Sequence, residues 1–204
     1  ADAPRWIEPQ WMETRSWTTM VDKPVAQLSH PSPGGHRLSI STSFRRNTTL
    51  QDVSVELNYE LYDGYPVIRK WVRLHNRGSL WLRLDRMILE DIHLSTLTRK
   101  SMAAAMYGVQ PSVVAFESPG GLTGLIAASE IPSALRSITD QGAMGYAPSL
   151  FEWVLGPGEE FISEPVFYFG FHGPMIWTIS SVSTPLDRTV EGPYMEFLHR
   201  ILGI

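Results

Sequence analysis

Apolar and polar residues alternate along DVSVELNYELY, residues 52–62, with the two-residue period of a β-strand. Every second position from Val53 to Leu61 is apolar, and the intervening positions are Ser, Glu or Asn. This period predicts a strand with one face buried and the other in water. Short apolar runs separated by glycines and prolines recur along the chain, which is typical of antiparallel strands and turns rather than βαβ units.

A second strand, PVIRKWVRLHN, follows a turn at Asp63 and Gly64, and Pro66 suits its beginning because proline donates no ladder hydrogen bond. The two strands are predicted to form a hairpin. Alternation divides the second strand into one set, Ile68, Val72 and Leu74, and an opposite set, Val67, Arg69, Trp71, Arg73 and His75. Glu56 and Glu60 should lie beside the arginines as cross-strand pairs. We interpret this face first as a solvated, mutually neutralised ladder and second as a ligand site.

Further strands are predicted at HRLSISTSF (36–44), LWLRLDRMILEDIHLS (80–95, either two strands or one long bent strand), SVVAF, GLTGLIAAS, LFEWVLG and PVFYFGF. The turn Gly156-Pro157-Gly158 is predicted to join FEWVL to the following strand in a second hairpin-like unit. The fold class is therefore all-β, a β-sandwich of antiparallel strands over residues 1–187.

The period changes near the C-terminus, where residues 188–204 are predicted to form a helix or connector. Its apolar stripe consists of Tyr194, Phe197, Leu198, Ile201 and Leu202, spaced as on one helix face, and Pro193 suits its first turn. The stripe needs a partner, which is either this domain's own sheet or a segment that follows residue 204.

Composition narrows the classes of function. The 204 residues are 43% hydrophobic, which suffices for one all-β core. A net charge of -4, with 17 Lys and Arg spread along the chain, argues against nucleic-acid binding. The absence of Cys excludes disulfides, thiolate zinc sites and cysteine nucleophiles. No run approaches the roughly 18 apolar residues of a membrane span, so we expect a soluble chain, in a compartment that the sequence leaves open.

Candidate chemistry centres on aromatic and basic side chains. Trp71 and Trp81 lie on the polar sides of their strands, where indole rings can stack on sugars, and with Arg69 and Arg73 they are the candidate carbohydrate-binding residues. Trp153 and Trp177 are expected to be packed inside. The six histidines lack metal-ligand spacing, so no metal or cofactor is predicted. The consecutive pairs Glu90-Asp91 and Glu159-Glu160 point to opposite faces of a strand, so neither is a natural glycosidase pair, and no catalytic residue is predicted.

The segment LQDVSVELNYELYDGYPVIRKWVRLHNRG, followed by LRLDRMILEDIHL, resembles the N-terminal β-domain of family-36 glycoside hydrolases, the α-galactosidase group. FEWVLGPGEEFISEPVFYFGFHG resembles the closing strands of that domain, and YMEFLHRIL resembles the connector that leads to its catalytic barrel. The resemblance covers residues 50–204 and implies a supersandwich like that of galactose mutarotase. This chain is shorter than the family's usual domain and stops where the barrel would begin. The family's catalytic carboxylates lie on the barrel, so none is assigned here.

The leading hypothesis is a non-catalytic accessory domain that packs on a catalytic barrel or partner protein and helps to bind carbohydrate. One alternative is a small stand-alone sugar-active enzyme, mutarotase- or lyase-like, that uses some of His75, His93, Glu117 and Glu152 as acid and base. Another is an interaction module that forms homo-oligomers through exposed aromatic residues.

Overall fold

The computed structural model describes residues 6–7, 23–31, 34–43, 52–85, 87–92, 94, 96–100, 113–131, 135–173 and 191–203. In chain order the strands are β1 Trp6–Ile7, β2 Val25–Ser29, β3 Gly35–Ser43, β4 Val53–Tyr62, β5 Tyr65–Asn76, β6 Trp81–Asp85, β7 Ile88–Glu90, β8 Thr98–Lys100, β9 Val113–Glu117, β10 Thr123–Ser129, β11 Arg136–Ile138, β12 Met144–Tyr146, β13 Glu152–Leu155, β14 Glu160–Ile162 and β15 Val166–His172. Helix α1, Glu191–Phe197, continues as a π-helical turn, Leu198–Leu202. The predicted all-β class with a short C-terminal helix is confirmed.

The strands form two layers. The first is a large sheet in the order β2-β3-β4-β5-β15-β10-β9-β8, with β14 also paired to β5. The second consists of two small sheets, β1-β6-β13 and β11-β12-β7. Leu84 of one small sheet and Met144 of the other share a buried cluster with Leu74 and Phe116 of the large sheet, so both small sheets pack on the same face of it. The pair β1–β6 is parallel and departs from the antiparallel pattern that we predicted.

The predicted hairpin is confirmed as β4 and β5. Glu60 lies opposite Arg69, and Glu56 lies opposite Arg73, as the alternation indicated. The turn requires Gly64, whose φ of 83° lies in the left-handed region that residues with a Cβ rarely adopt. The segment 80–95 contains two strands, β6 and β7, which belong to different small sheets.

The second predicted hairpin is wrong, because β13 pairs with β6 whereas β14 pairs with β5. The turn between them carries the chain from one layer to the other. Gly158, with φ at 78°, suits the third position of this turn, and the N–H of Glu159 donates to the carbonyl of Gly156 at 3.1 Å. The buried amide of Asn76 fixes the turn by donating to the carbonyls of Gly156 at 3.0 Å and Leu155 at 3.2 Å.

Strand β5 contributes to two hydrophobic cores on opposite faces of the large sheet. Val72 and Leu74 belong to the core under the small sheets. Val67 points to the opposite face of the large sheet from Val72 and Leu74. It is nevertheless only 2% exposed, because helix α1 covers this opposite face near the start of β5. Ile68 shares a face with Val72 and Leu74, as the alternation predicted, but it does not belong to their core. Ile68 is 47% exposed, since the small sheets do not reach it.

The apolar stripe of the C-terminal helix packs on this domain's own sheet. Phe197 is fully buried, with ring centroids 5.4 Å from Phe167 and 5.7 Å from Tyr62. Tyr194 lies beside it, and burial raises the pKa of Tyr194 to about 12. The predicted domain boundary at residue 188 lies outside the described residues and stays a prediction. Among the helices of the described part, none is both long and apolar enough to cross a membrane.

Candidate functional site

Strands β3, β4 and β5 carry mostly polar side chains on the face of the large sheet that lies opposite to the small sheets. We call this surface the polar face. Its side chains lie in cross-strand rows. In order along the strands, three of these rows are Arg37–Glu60–Arg69, Ser39–Asn58–Trp71 and Ser41–Glu56–Arg73. Because the side chains of a strand alternate with a period of two, all nine point to the same side of the sheet.

Glu60 is the centre of the first row and is only 3% exposed. Arg37 Nε donates to its Oε1 at 2.8 Å, while Arg69 Nη1 at 3.0 Å and the hydroxyl of Tyr62 at 2.5 Å donate to its Oε2. Arg69 also donates from Nε and Nη2 to the two oxygens of Glu130, at 2.8 and 3.1 Å. Arg69 is therefore held between two carboxylates in a fixed orientation.

These contacts determine which groups are charged. Burial alone raises the pKa of Glu60, but the hydrogen bonds from Tyr62, Arg37 and Arg69 outweigh burial, so the pKa lies below its usual value. Burial and the hydrogen bond to Glu60 raise the pKa of Tyr62. Glu60 is consequently ionised and Tyr62 is a neutral donor at pH 7. The interpretation of this face as a solvated ladder of charges is wrong at Glu60, because that residue is buried.

Trp71 lies in the next row, and both arginines of the first row contact its ring. The guanidinium carbons of Arg37 and Arg69 lie 4.8 and 5.2 Å from the ring centroid, within the range of cation–π attraction. Glu60 thus fixes Trp71 indirectly, through the two arginines that it binds. The third row, with Glu56 and Arg73, lies on the other side of Trp71.

A cleft of about 130 Å³ opens on the polar face at the third row. Its polar lining residues are Ser41, Ser54, Glu56, Arg73, His75, Arg77 and Glu160. Arg73 Nε lies 4.0 Å from Glu160 Oε2, and His75 Nδ1 lies 3.7 Å from Glu160 Oε1. Both distances exceed those of direct hydrogen bonds, so the carboxylate is near its partners without bonding to them.

The structure brings three of the four predicted carbohydrate-binding residues together. Arg69, Trp71 and Arg73 occupy successive outward positions of β5, and of the four only Arg73 lines the cleft. Trp81 lies on β6 in the second layer, on the side opposite to its buried neighbour Leu82, and is therefore not near Trp71. The assignment of these residues to carbohydrate stays a prediction.

Most residues of the cleft were not predicted as site residues from the sequence. Arg77 was detectable, since it shares the outward orientation of Arg73 and His75. Glu160 reaches the cleft only because β14 pairs with β5, a long-range contact that leaves no local signal. Trp153 was expected to be packed, but it is 49% exposed, and Trp177 lies outside the described residues.

Of the residues of the alternative enzyme hypothesis, the three that the structure describes are not brought together. His75 lines the cleft, whereas the buried Glu117 ends β9, three strands away in the order of the large sheet. Glu152 lies in β13, in the second layer. His93 lies outside the described residues. In the part of the chain that the structure describes, no group of three or more His, Asp or Glu side chains could hold a metal ion.

Comparison with known proteins identifies the fold. No protein-family model matches the chain, and no curated protein matches it by sequence. Its structure is similar to a GH36 α-galactosidase AgaA variant from Geobacillus stearothermophilus in complex with stachyose, with TM-score 0.56 and 16% identity over 76% of this chain and 28% of that one. The α-galactosidases AgaB from the same organism (TM-score 0.52, 17% identity, 76% and 27% of the two chains) and from Lactobacillus brevis (0.51, 12%, 76% and 26%) are also similar.

The chain thus spans about a quarter of the length of each of these three enzymes, between 26% and 28%. At identities of 12–17% the likeness establishes the fold. This coverage is consistent with the N-terminal domain indicated by the sequence resemblance. The chain has the fold of one β-domain of family-36 α-galactosidases.

Proposed function

We propose that this chain is a non-catalytic accessory domain of a carbohydrate-active protein, which packs against a catalytic domain and binds carbohydrate on its polar face. The observation that carries the proposal is the polar face itself, where a fixed indole ring lies next to a cleft that contains both arginine and glutamate. The shared fold supports it, since in each matched α-galactosidase the similar region is one part of a longer enzyme.

The chemistry of the polar face suits sugars. An aromatic ring can stack on the C–H groups of a pyranose, and neighbouring charged side chains can bond to its hydroxyls. The carboxylates around Arg69 and the two arginines on Trp71 already fix these groups before a ligand arrives. Groups that are preorganised lose little conformational entropy on binding.

A separate apolar surface supports docking on a catalytic domain. Leu28, Leu61 and Ile68 are 74%, 50% and 47% exposed. By register they point to the same side of the large sheet as the buried Val72, at the end that the small sheets leave open. Exposed apolar residues on a sheet face are typical of interfaces with another domain or protein.

Isothermal titration of the 204-residue chain with raffinose, stachyose and methyl α-D-galactopyranoside tests the carbohydrate half of the proposal. We expect binding that Trp71→Ala abolishes and that Trp81→Ala, a tryptophan change in the second layer, leaves intact. Absence of heat with all three sugars would refute carbohydrate binding. A loss confined to Trp81→Ala would refute the polar face as its location.

Light scattering separates the accessory domain from the homo-oligomer hypothesis. The accessory domain is expected to have the monomer mass of 23.0 kDa. A dimer that Leu61→Lys with Ile68→Lys converts to monomer would instead show that the apolar surface serves self-association.

A further inference from the structure

We infer that the cleft beside Trp71 is the ligand site of the polar face and that it takes an uncharged polyol, namely the hydroxyl-bearing edge of one pyranose ring. This inference rests on the proposed carbohydrate-binding function and adds the location and the class of ligand. It places the site two rows away from Arg69, whose guanidinium is already engaged with two carboxylates.

The charges of the cleft favour a neutral ligand. Arg73 and Arg77 contribute two positive charges, and Glu56 and Glu160 contribute two negative charges, so the formal charge is zero when histidine is counted as neutral. An anion attracted by the arginines would meet two carboxylates at close range, and a cation would meet two guanidinium groups. A ligand without charge avoids both repulsions.

The distances favour a hydroxyl group. Arg73 Nε and Glu160 Oε2 are 4.0 Å apart, which is too far for a direct hydrogen bond. One oxygen atom at about 2.8 Å from each of them fits between these two atoms. A hydroxyl can accept from the arginine and donate to the glutamate at the same time, whereas a carboxylate can only accept and an ammonium can only donate. The gap therefore selects a group that is both donor and acceptor.

Except for Arg77, which follows the end of β5, the lining residues lie on strands. Glu56 accepts a hydrogen bond from the amide of Asn58 at 2.9 Å and lies opposite Arg73. Glu160 is positioned by the pairing of β14 with β5, which places it opposite His75. Sites built on strands keep their geometry more accurately than sites on loops. A cleft of about 130 Å³ accommodates an edge of a sugar ring. Trp71 does not line the cleft but lies in the adjacent row, towards which the rest of the ring would extend.

The test uses variants of the cleft pair and of a matched pair in the second layer. Arg73 and Glu160 are 45% and 43% exposed, and Arg83 and Glu152 are 40% and 58% exposed with 3.4 Å between them. Arg73→Gln and Glu160→Gln should each weaken binding of methyl α-D-galactopyranoside by roughly tenfold, because each removes a charged hydrogen-bonding partner. Arg83→Gln and Glu152→Gln should leave the affinity unchanged. Amide NMR spectra verify that each variant is folded.

D-Galacturonate, titrated against the same proteins, tests the class of ligand. The wild type should bind it no more tightly than the neutral galactoside, and Glu160→Gln should shift the preference towards the uronate. Tighter uronate binding by the wild type would overturn the polyol assignment. If the galactoside binds and Trp71→Ala abolishes binding but the cleft variants do not weaken it, the cleft is refuted while carbohydrate binding stands. If no sugar binds the wild type, the proposed function itself fails.

Discussion

Replacing Glu60 with glutamine tests whether a buried carboxylate holds the polar face in place. The change preserves size but removes the negative charge, and the amide offers one accepting oxygen where the carboxylate offers two. Arg37, Arg69 and Tyr62 all donate to Glu60, so at least one of them loses its acceptor. The expected result is a less stable protein.

The size of the loss follows from the surroundings. Removing one partner of a fully buried ion pair costs about 3–5 kcal/mol. In the variant, Arg69 would retain its ion pair with Glu130, in which Nη2 and Oε2 are 2.7 Å apart. Arg37 is 35% exposed and can bind water in place of the lost carboxylate. We therefore expect a loss of about 2–3 kcal/mol at pH 7.

The loss should depend on pH with a definite sign. Folding lowers the pKa of Glu60, so the folded state favours the ionised carboxylate. The stability that Glu60 contributes is fully present above its unfolded pKa of about 4.3 and disappears as the pH falls through the lower folded pKa. The difference between wild type and Glu60→Gln should consequently be largest at neutral pH and should shrink in acid.

Urea unfolding followed by tryptophan fluorescence, repeated from pH 7 to pH 3, measures this difference. Glu152→Gln is the matched control, because Glu152 is 58% exposed and should change stability by less than about 0.5 kcal/mol. A Glu60→Gln protein as stable as the control at pH 7 would refute the reasoning. So would a deficit of the same size at pH 3 and pH 7.

Three further changes test the packing that supports the site. Gly124→Ala makes a Cβ clash with the backbone oxygen of Phe116 on β9 and should cost about 2 kcal/mol or more in thermal unfolding. Gly170→Ala, where a Cβ would have no atom nearer than 3.6 Å, should cost less. Asn76→Ala removes the amide that fixes the turn between the layers and should cost about 2–3 kcal/mol in urea unfolding; a loss below 0.5 kcal/mol would contradict this role. Phe197→Ala should speed hydrogen exchange throughout α1 well before the sheet unfolds, and Met195→Ala, on the exposed side of the helix, should not.

The hairpin could be predicted because its information is local. The alternation in β4 and β5 sets which side chains share a face, and the Asp63-Gly64 turn marks where the chain reverses. The register itself is shifted by two residues at an irregularity between Leu61 and Tyr62, which keeps every side chain on its face. The prediction of the second hairpin was wrong for a physical reason. The turn at Gly156 to Gly158 has the same residue preferences whether it joins two paired strands or passes between layers, so its sequence does not determine which strands pair.

For the candidate site too, the sequence predicted local features but not long-range contacts. Alternation correctly placed Arg69, Trp71 and Arg73 on one surface. It also predicted that Trp81 points outward, but the pattern relates a side chain to its own sheet and carries no information about which layer that sheet forms. The burial of Glu60 was equally hidden, because it depends on Arg37 from a separate strand and on Tyr62 at the end of the hairpin.

The division of β5 between two cores has a consequence for how the hairpin finds its alignment. If β5 slid by one residue against β4, Arg73 would turn towards the small sheets while Val67 would leave the aromatic pocket beneath the helix. In a sheet with one buried face, a misaligned hairpin loses the hydrophobic contacts of that face. Here it would lose the contacts of both hydrophobic cores. Once the small sheets and the helix have packed on the large sheet, wrongly registered states should therefore be rare in this domain.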